Sequence, residues 1–150
     1  MKQVWIFWVM AAVLAGAASV SAQSSEPIGT VTCRLEIHVT GFDSNQGQAK
    51  LALINSRESF ESEDAQFMGI NSPVINRQVR LTLTVPRGEY AVKVYHDENG
   101  NDQLDTRMFG IPAERYGFSN NVRGTLGPPD YSDARFALDT AKHAISIELR

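Results

Sequence analysis

An all-β fold, an antiparallel Greek-key β-sandwich or barrel with one long ordered loop, is what this sequence predicts. Three observations carry it. Segments of five to nine residues alternate apolar and polar side chains, polar turns of Gly, Pro, Asn and Asp separate them, and no stretch keeps helical periodicity over ten residues. Several such strands with three or four inward aliphatics each suffice for two sheets to close over a core.

The first strand is the clearest. Val31, Cys33, Leu35, Ile37 and Val39 share one face, and Thr32, Arg34, Glu36, His38 and Thr40 share the other. Cys33, the single cysteine of the chain, thus faces the core as a small apolar filler and has no disulfide partner within the chain. His38 falls on the solvated face. "GFDSNQG" then gives turn chemistry, and Ala49, Leu51 and Leu53 point inward from a second strand. Residues 55 to 76, polar with isolated Phe60, Phe67 and Met68, read as a long connection with a helical turn.

Val79, Leu81, Leu83 and Val85 alternate again. Pro86 and Gly88 turn the chain, and Tyr90, Val92 and Val94 begin the next inward face. A tyrosine just after such a turn folds its hydroxyl back onto the backbone at a strand corner, a structural role. "FALDTAKHAISIELR" reads as a terminal hairpin, with Phe136 and Leu138 on one arm and Ile145, Ile147 and Leu149 on the other. Between Asp105 and Arg135 the chain keeps no period. So long an excursion is functional or held by something extra, and Phe109, Tyr116, Phe118 and Tyr131 give it apolar surface to pack as a compact loop.

The chain begins with a different pattern. Lys2 is followed by an apolar run from Val4 to Val20 and by small residues ending Val20-Ser21-Ala22. That is an export signal over residues 1–22, cleaved before Gln23, with 23–29 as a polar linker and 30–150 as the sandwich domain. The competing expectation is an uncleaved anchor, since the run nearly reaches the roughly 20 residues of a membrane span. A cleaved chain goes to the periplasm or the medium and does not insert in the membrane. The formal net charge is −3 before Lys2 is lost, and no basic cluster is present. Nucleic acid and anionic membrane surfaces are therefore poor partners.

"HDENGNDQLD", residues 96–105, is the one candidate ion site. Asp97, Asn99, Asn101 and Asp105 occupy positions one, three, five and nine of a calcium loop, and Gln103 supplies its carbonyl at seven. Ca2+ is the candidate cofactor. Alternate oxygens on a curling backbone converge on one centre, and a divalent ion reverses the mutual repulsion of the aspartates. Asp102 stands where an EF-hand has glycine, and Met108 where it has a bidentate glutamate, so a ligand must come from elsewhere, such as Asp130 or Asp133. An exposed hairpin turn needing no ion is the alternative, since Asn99-Gly100 is a strong hairpin signal. His96 and His143 share inward parity and could form a transition-metal pair, or serve as hydrogen-bonded strand ends.

"GEYAVKVYHDENGN", "LDTRMFGIPAERYGFSNN" and "GPPDYSDARF" resemble the bacterial family catalogued as domain of unknown function 2141, over about residues 32 to 149. The resemblance implies a small exported β-sandwich, similar to transthyretin-like and carboxypeptidase-regulatory-like modules, with no assigned activity. Asp102 replaces the family's usual glycine.

The expected function is a non-catalytic exported module, binding or structural in the cell envelope, with an envelope or extracellular partner and a cation pinning the loop. A glycan- or peptide-binding module is the first alternative, with the 106–135 loop, its aromatics and Asn120 and Asn121 as the recognition surface. A periplasmic hydrolase of transthyretin-like fold is the second. No nucleophile motif, zinc-binding motif or placed cysteine supports catalysis, and a carboxylate pair such as Glu114 and Asp130 is not singled out by spacing. No catalytic residue is assigned.

Overall fold

The computed structural model describes residues 30–62, 66–125 and 127–150. The signal peptide 1–22 and linker 23–29 lie outside the described residues. Among the described residues, no helix is long and apolar enough to cross a membrane.

Alternation sets the strands. β1 runs Thr32–Thr40 and buries Cys33, Leu35, Ile37 and Val39, each at most 2% exposed. Val31 is an exception: it lies outside the strand and is exposed, because pairing with β4 begins only at Thr32. β2, Gln48–Ile54, buries Ala49, Leu51 and Leu53. A helical turn α1, Arg57–Glu61, capped by Ser56, follows and sends Phe60 inward. Then comes β3, Met68–Pro73, a strand within the segment read as a connection. "MGINSP" lacks the β-branched alternation that marks a strand, and it pairs only with β2 at the sheet edge, where Pro73 costs no ladder bond.

β4, Gln78–Pro86, and β5, Gly88–Asp97, are consecutive yet lie in different sheets. The Tyr90 hydroxyl donates to the Pro86 carbonyl at 3.0 Å and fixes the corner between them, as the sequence predicts. β6 is Tyr116–Phe118, α2 is Tyr131–Ala134, β7 is Phe136–Leu138 and β8 is Lys142–Glu148. One sheet is ordered β4-β1-β8; the other is β3-β2-β5-β6, with β7 on the remaining stretch of β5.

The terminal hairpin is not formed. β7 stays with β5, while β8 crosses to the other sheet and lies parallel to β1, Leu35 opposite His143 and Ile145 opposite Ile37. The inward parity of Ile145, Ile147 and Leu149 is the predicted one, because alternation fixes the face and leaves the partner open. The sandwich is therefore antiparallel with one parallel pair.

The core has two parts. Between the sheets, Cys33, Leu35, Ile37, Val39, Leu53, Val79, Val85, Val92, Ile147 and Leu149 pack together with their neighbours. On the outer face of the second sheet, Ile54, Phe60, Ala91, Phe118, Tyr131 and Ala134 form a smaller cluster. The second cluster resolves part of the aperiodic excursion: residues from Tyr116 on wrap over β5 and bury Phe118 and Tyr131. Ser119, fully buried, accepts the Val92 N–H at 2.9 Å and donates to the Ala134 carbonyl at 2.5 Å.

Candidate functional site

β5 ends on Asp97, which has no exposed surface. One of its oxygens accepts the N–H groups of Gly100 (2.8 Å) and Asn101 (3.1 Å), and the other accepts that of Asp102 (3.1 Å). Charge-assisted bonds to backbone donors curl the chain back on itself. The left-handed conformation at Gly100 (φ 74°) and Asp102 (φ 64°) completes the curl. Glycine accepts that conformation freely and aspartate at a modest cost. The ammonium of Lys50, on neighbouring β2, stands 3.8 Å from Asp97 and also contacts the Asp102 carboxylate.

The other predicted ligands gather beside this hub. Asn99 and Asn101 each donate an amide N–H to the Asp105 carboxylate, at 2.6 and 2.9 Å. Their own oxygens accept the N–H groups of Asn101 (3.0 Å) and Gln103 (2.9 Å). Glu114 joins from across the excursion, its two oxygens accepting the N–H of Glu98 and of Asp105, both at 3.1 Å. Gln46, Glu98, Asn99, Asp105 and Glu114 line one open depression.

The structure thus brings Asp97, Asn99, Asn101 and Asp105 into one loop, with Gln103 contributing its N–H to the turn. Among the described residues no group of three His, Cys, Asp or Glu side chains is arranged as a ready metal cage. Asp130 and Asp133 belong to the helical turn at Tyr131–Ala134 and are replaced at the loop by Glu114. Lys50, Glu98 and Glu114 are the residues that spacing along the chain does not reveal as partners of this loop, since each arrives from another strand or from off the ligand register.

The histidines stand apart. His96 is buried in the second sheet, its Nε2 2.8 Å from the Gln46 carbonyl oxygen and its ring edge-on to Phe42. His143 stacks on Phe136 from the first sheet. His96 is thus the hydrogen-bonded strand end of the alternative expectation, while the contact of His143 is a ring stack. His38 is half-buried and pairs with the Gln78 amide oxygen at 2.9 Å, so its face is not simply solvated.

Beyond the loop the chain makes a small hairpin. Ala113 N–H donates to the Asp105 carbonyl (2.7 Å), Arg107 N–H to Ile111 (2.6 Å), and Gly110 N–H to Arg107 (3.2 Å). Its tip is apolar and bare: Met108 is 78% exposed, Phe109 94% and Ile111 59%. Phe109 has φ 66°, a left-handed conformation that bulky side chains avoid. Arg115, at the hairpin's base, donates to Asp43 at 2.7 Å and holds that carboxyl below its ordinary pKa.

Asn120 and Asn121 are exposed, and their side-chain amides are engaged by the backbone. The Asn120 amide donates to the Asp133 and Arg135 carbonyls, both at 2.9 Å. Asn121 donates to Ser146 (3.1 Å) and accepts from Glu148 N–H (2.8 Å). Phe118 and Tyr131, two of the aromatics expected on a recognition surface over 106–135, are buried instead.

A family model described as "Uncharacterized protein conserved in bacteria (DUF2141)" matches residues 37–146. No curated protein and no solved structure matches the chain.

Proposed function

This chain belongs to the bacterial family of domain of unknown function 2141, and we propose that it is an exported, non-catalytic docking module of the cell envelope whose contact element is the Arg107–Ile111 hairpin tip. Phe109 carries the reading. An aromatic ring held almost wholly in water, on backbone it disfavours, is costly twice over, and such costs collect where they serve contact. Burying Met108, Phe109 and Ile111 in a partner's apolar pocket would stabilise a complex by about 4–9 kcal/mol before the cost of association. The tip is a convex knob, so the partner is a protein that offers the pocket. The leader pattern at residues 1–22 supports export.

The acidic loop is the hairpin's foundation. Asp97 fixes the curl, and Glu114 ties the hairpin's return strand to Glu98 and Asp105. Calcium at this loop is a second element of the proposal, favoured by the convergence of Asn99, Asn101, Glu98 and Glu114 around Asp105. An ion there would replace the two amide donors at Asp105, and turning the amide oxygens towards it would exchange the bonds they accept from the N–H groups of Asn101 and Gln103.

Photo-crosslinking tests the reading. A benzophenone amino acid at position 109, in cells of the source bacterium, is expected to give one discrete adduct in the envelope fraction. The same group at position 58, exposed on α1, is expected to give none. No adduct from position 109, or one adduct shared by both positions, would refute it.

A further inference from the structure

A separate cavity lies where the two sheets meet. β6 and the end of the chain close on each other, Tyr116 N–H donating to the Arg150 carbonyl (3.3 Å) and Arg150 N–H to that of Tyr116 (3.1 Å). Gly117 makes this approach feasible: a Cβ there would lie 2.9 Å from Ile147 Cγ2 and 3.2 Å from Leu149 Cδ2. Asn121 clamps the opposite wall to β8 through Ser146 and Glu148. Between these walls is a half-open pocket of about 220 Å³.

Three features of its lining are chemically distinct. Tyr116 offers a ring that is 37% exposed and braced edge-on by Phe118 at 5.9 Å. Arg150 is held by Glu148 at 3.2 Å, which leaves that carboxylate partly neutralised and able to accept further hydrogen bonds. Arg123 lines the pocket with no carboxylate or hydrogen-bond partner of its own among the described residues. The strained turn before it, with Asn120 at φ 59° and Asn121 at φ 54°, carries the chain from β6 to Arg123 across the cavity.

We infer that this pocket binds a single carboxylated sugar ring, a hexuronate. The volume is below the roughly 300–1,000 Å³ of sites for larger ligands and leaves room for one ring. A free guanidinium grips a carboxylate in a bidentate fork. The Tyr116 ring supplies the platform on which the apolar face of a pyranose rests, and Glu148 accepts its hydroxyls. A neutral sugar leaves Arg123 unused, and an aromatic acid has no hydroxyl to give Glu148. This site is distinct from the hairpin tip and from the acidic loop.

Titration of the exported chain with D-glucuronate, D-glucose and benzoate, followed by backbone amide NMR shifts, tests the inference. Glucuronate is expected to shift Tyr116, Gly117, Val122 and Arg123, with glucose and benzoate weaker by at least about tenfold. Arg123→Gln should weaken glucuronate by about tenfold, while Arg87→Gln, at an exposed turn elsewhere, leaves it unchanged. Arg123 is exposed, so its replacement does not threaten the fold. Glucose or benzoate binding as well as glucuronate would overturn the inference. So would an absence of shifts at these residues, or an affinity indifferent to Arg123→Gln.

Discussion

Lys50 places its ammonium 3.8 Å from the Asp97 carboxylate, two opposite charges that are 12% and 0% exposed and sit on adjacent strands of one sheet. The carboxylate has three backbone donors as well, so it is the loop's hub and Lys50 is its counter-charge. Asp97→Ala is expected to destabilise the domain by about 3–5 kcal/mol, since it leaves three N–H groups without their acceptor and Lys50 with the exposed Asp102 carboxylate alone. Lys50→Met, which keeps the three donors, should cost less. Urea denaturation of both variants measures the difference.

Calcium is expected to raise the melting temperature of residues 23 to 150 where magnesium and chelator do not. At a hundredfold excess over its dissociation constant the gain is about 2.7 kcal/mol. Asp105→Ala and Glu114→Ala should each remove most of it. Identical melts in all three buffers would leave the loop as the hydrogen-bonded turn alone.

Phe109 and Phe118 lie in the same excursion and should behave oppositely. Phe109→Ser is expected to change stability by no more than about 0.5 kcal/mol, because the ring touches almost nothing. Phe118→Ala opens a hole beside Phe60 and should cost about 3–4 kcal/mol. Thermal unfolding followed by circular dichroism separates the two.

Acid acts on Asp43. Its carboxyl has a folded pKa below the ordinary 3.8, chiefly because Arg115 hydrogen-bonds to the charged form. A depressed folded pKa means stability that is present above 3.8 and disappears as pH falls through the folded value. The pair is half-exposed, so the effect at neutral pH is at most about 1 kcal/mol. Asp43→Asn should therefore be slightly less stable than the natural chain at pH 7 and converge with it once pH has fallen through the folded value of the carboxyl. Stability measured across that range, with the gap unchanged at low pH, would refute the assignment.

Local alternation was enough to place β1, β2, β4 and β5 and to say which of their side chains face inward. The Tyr90 corner and the curl after Asp97 were equally legible, because each depends on residues within a few positions of one another. β3 escaped because an edge strand with Gly69 and Pro73 carries little of the alternating signal. The tertiary structure decided the rest. It sent β8 to lie parallel to β1, brought Lys50 and Glu114 to the acidic loop, buried Phe118 and Tyr131 and left Phe109 bare. Periodicity assigns a side chain to a face of its own strand; which strand or loop meets that face is settled by packing between segments distant in sequence, and no local pattern records it.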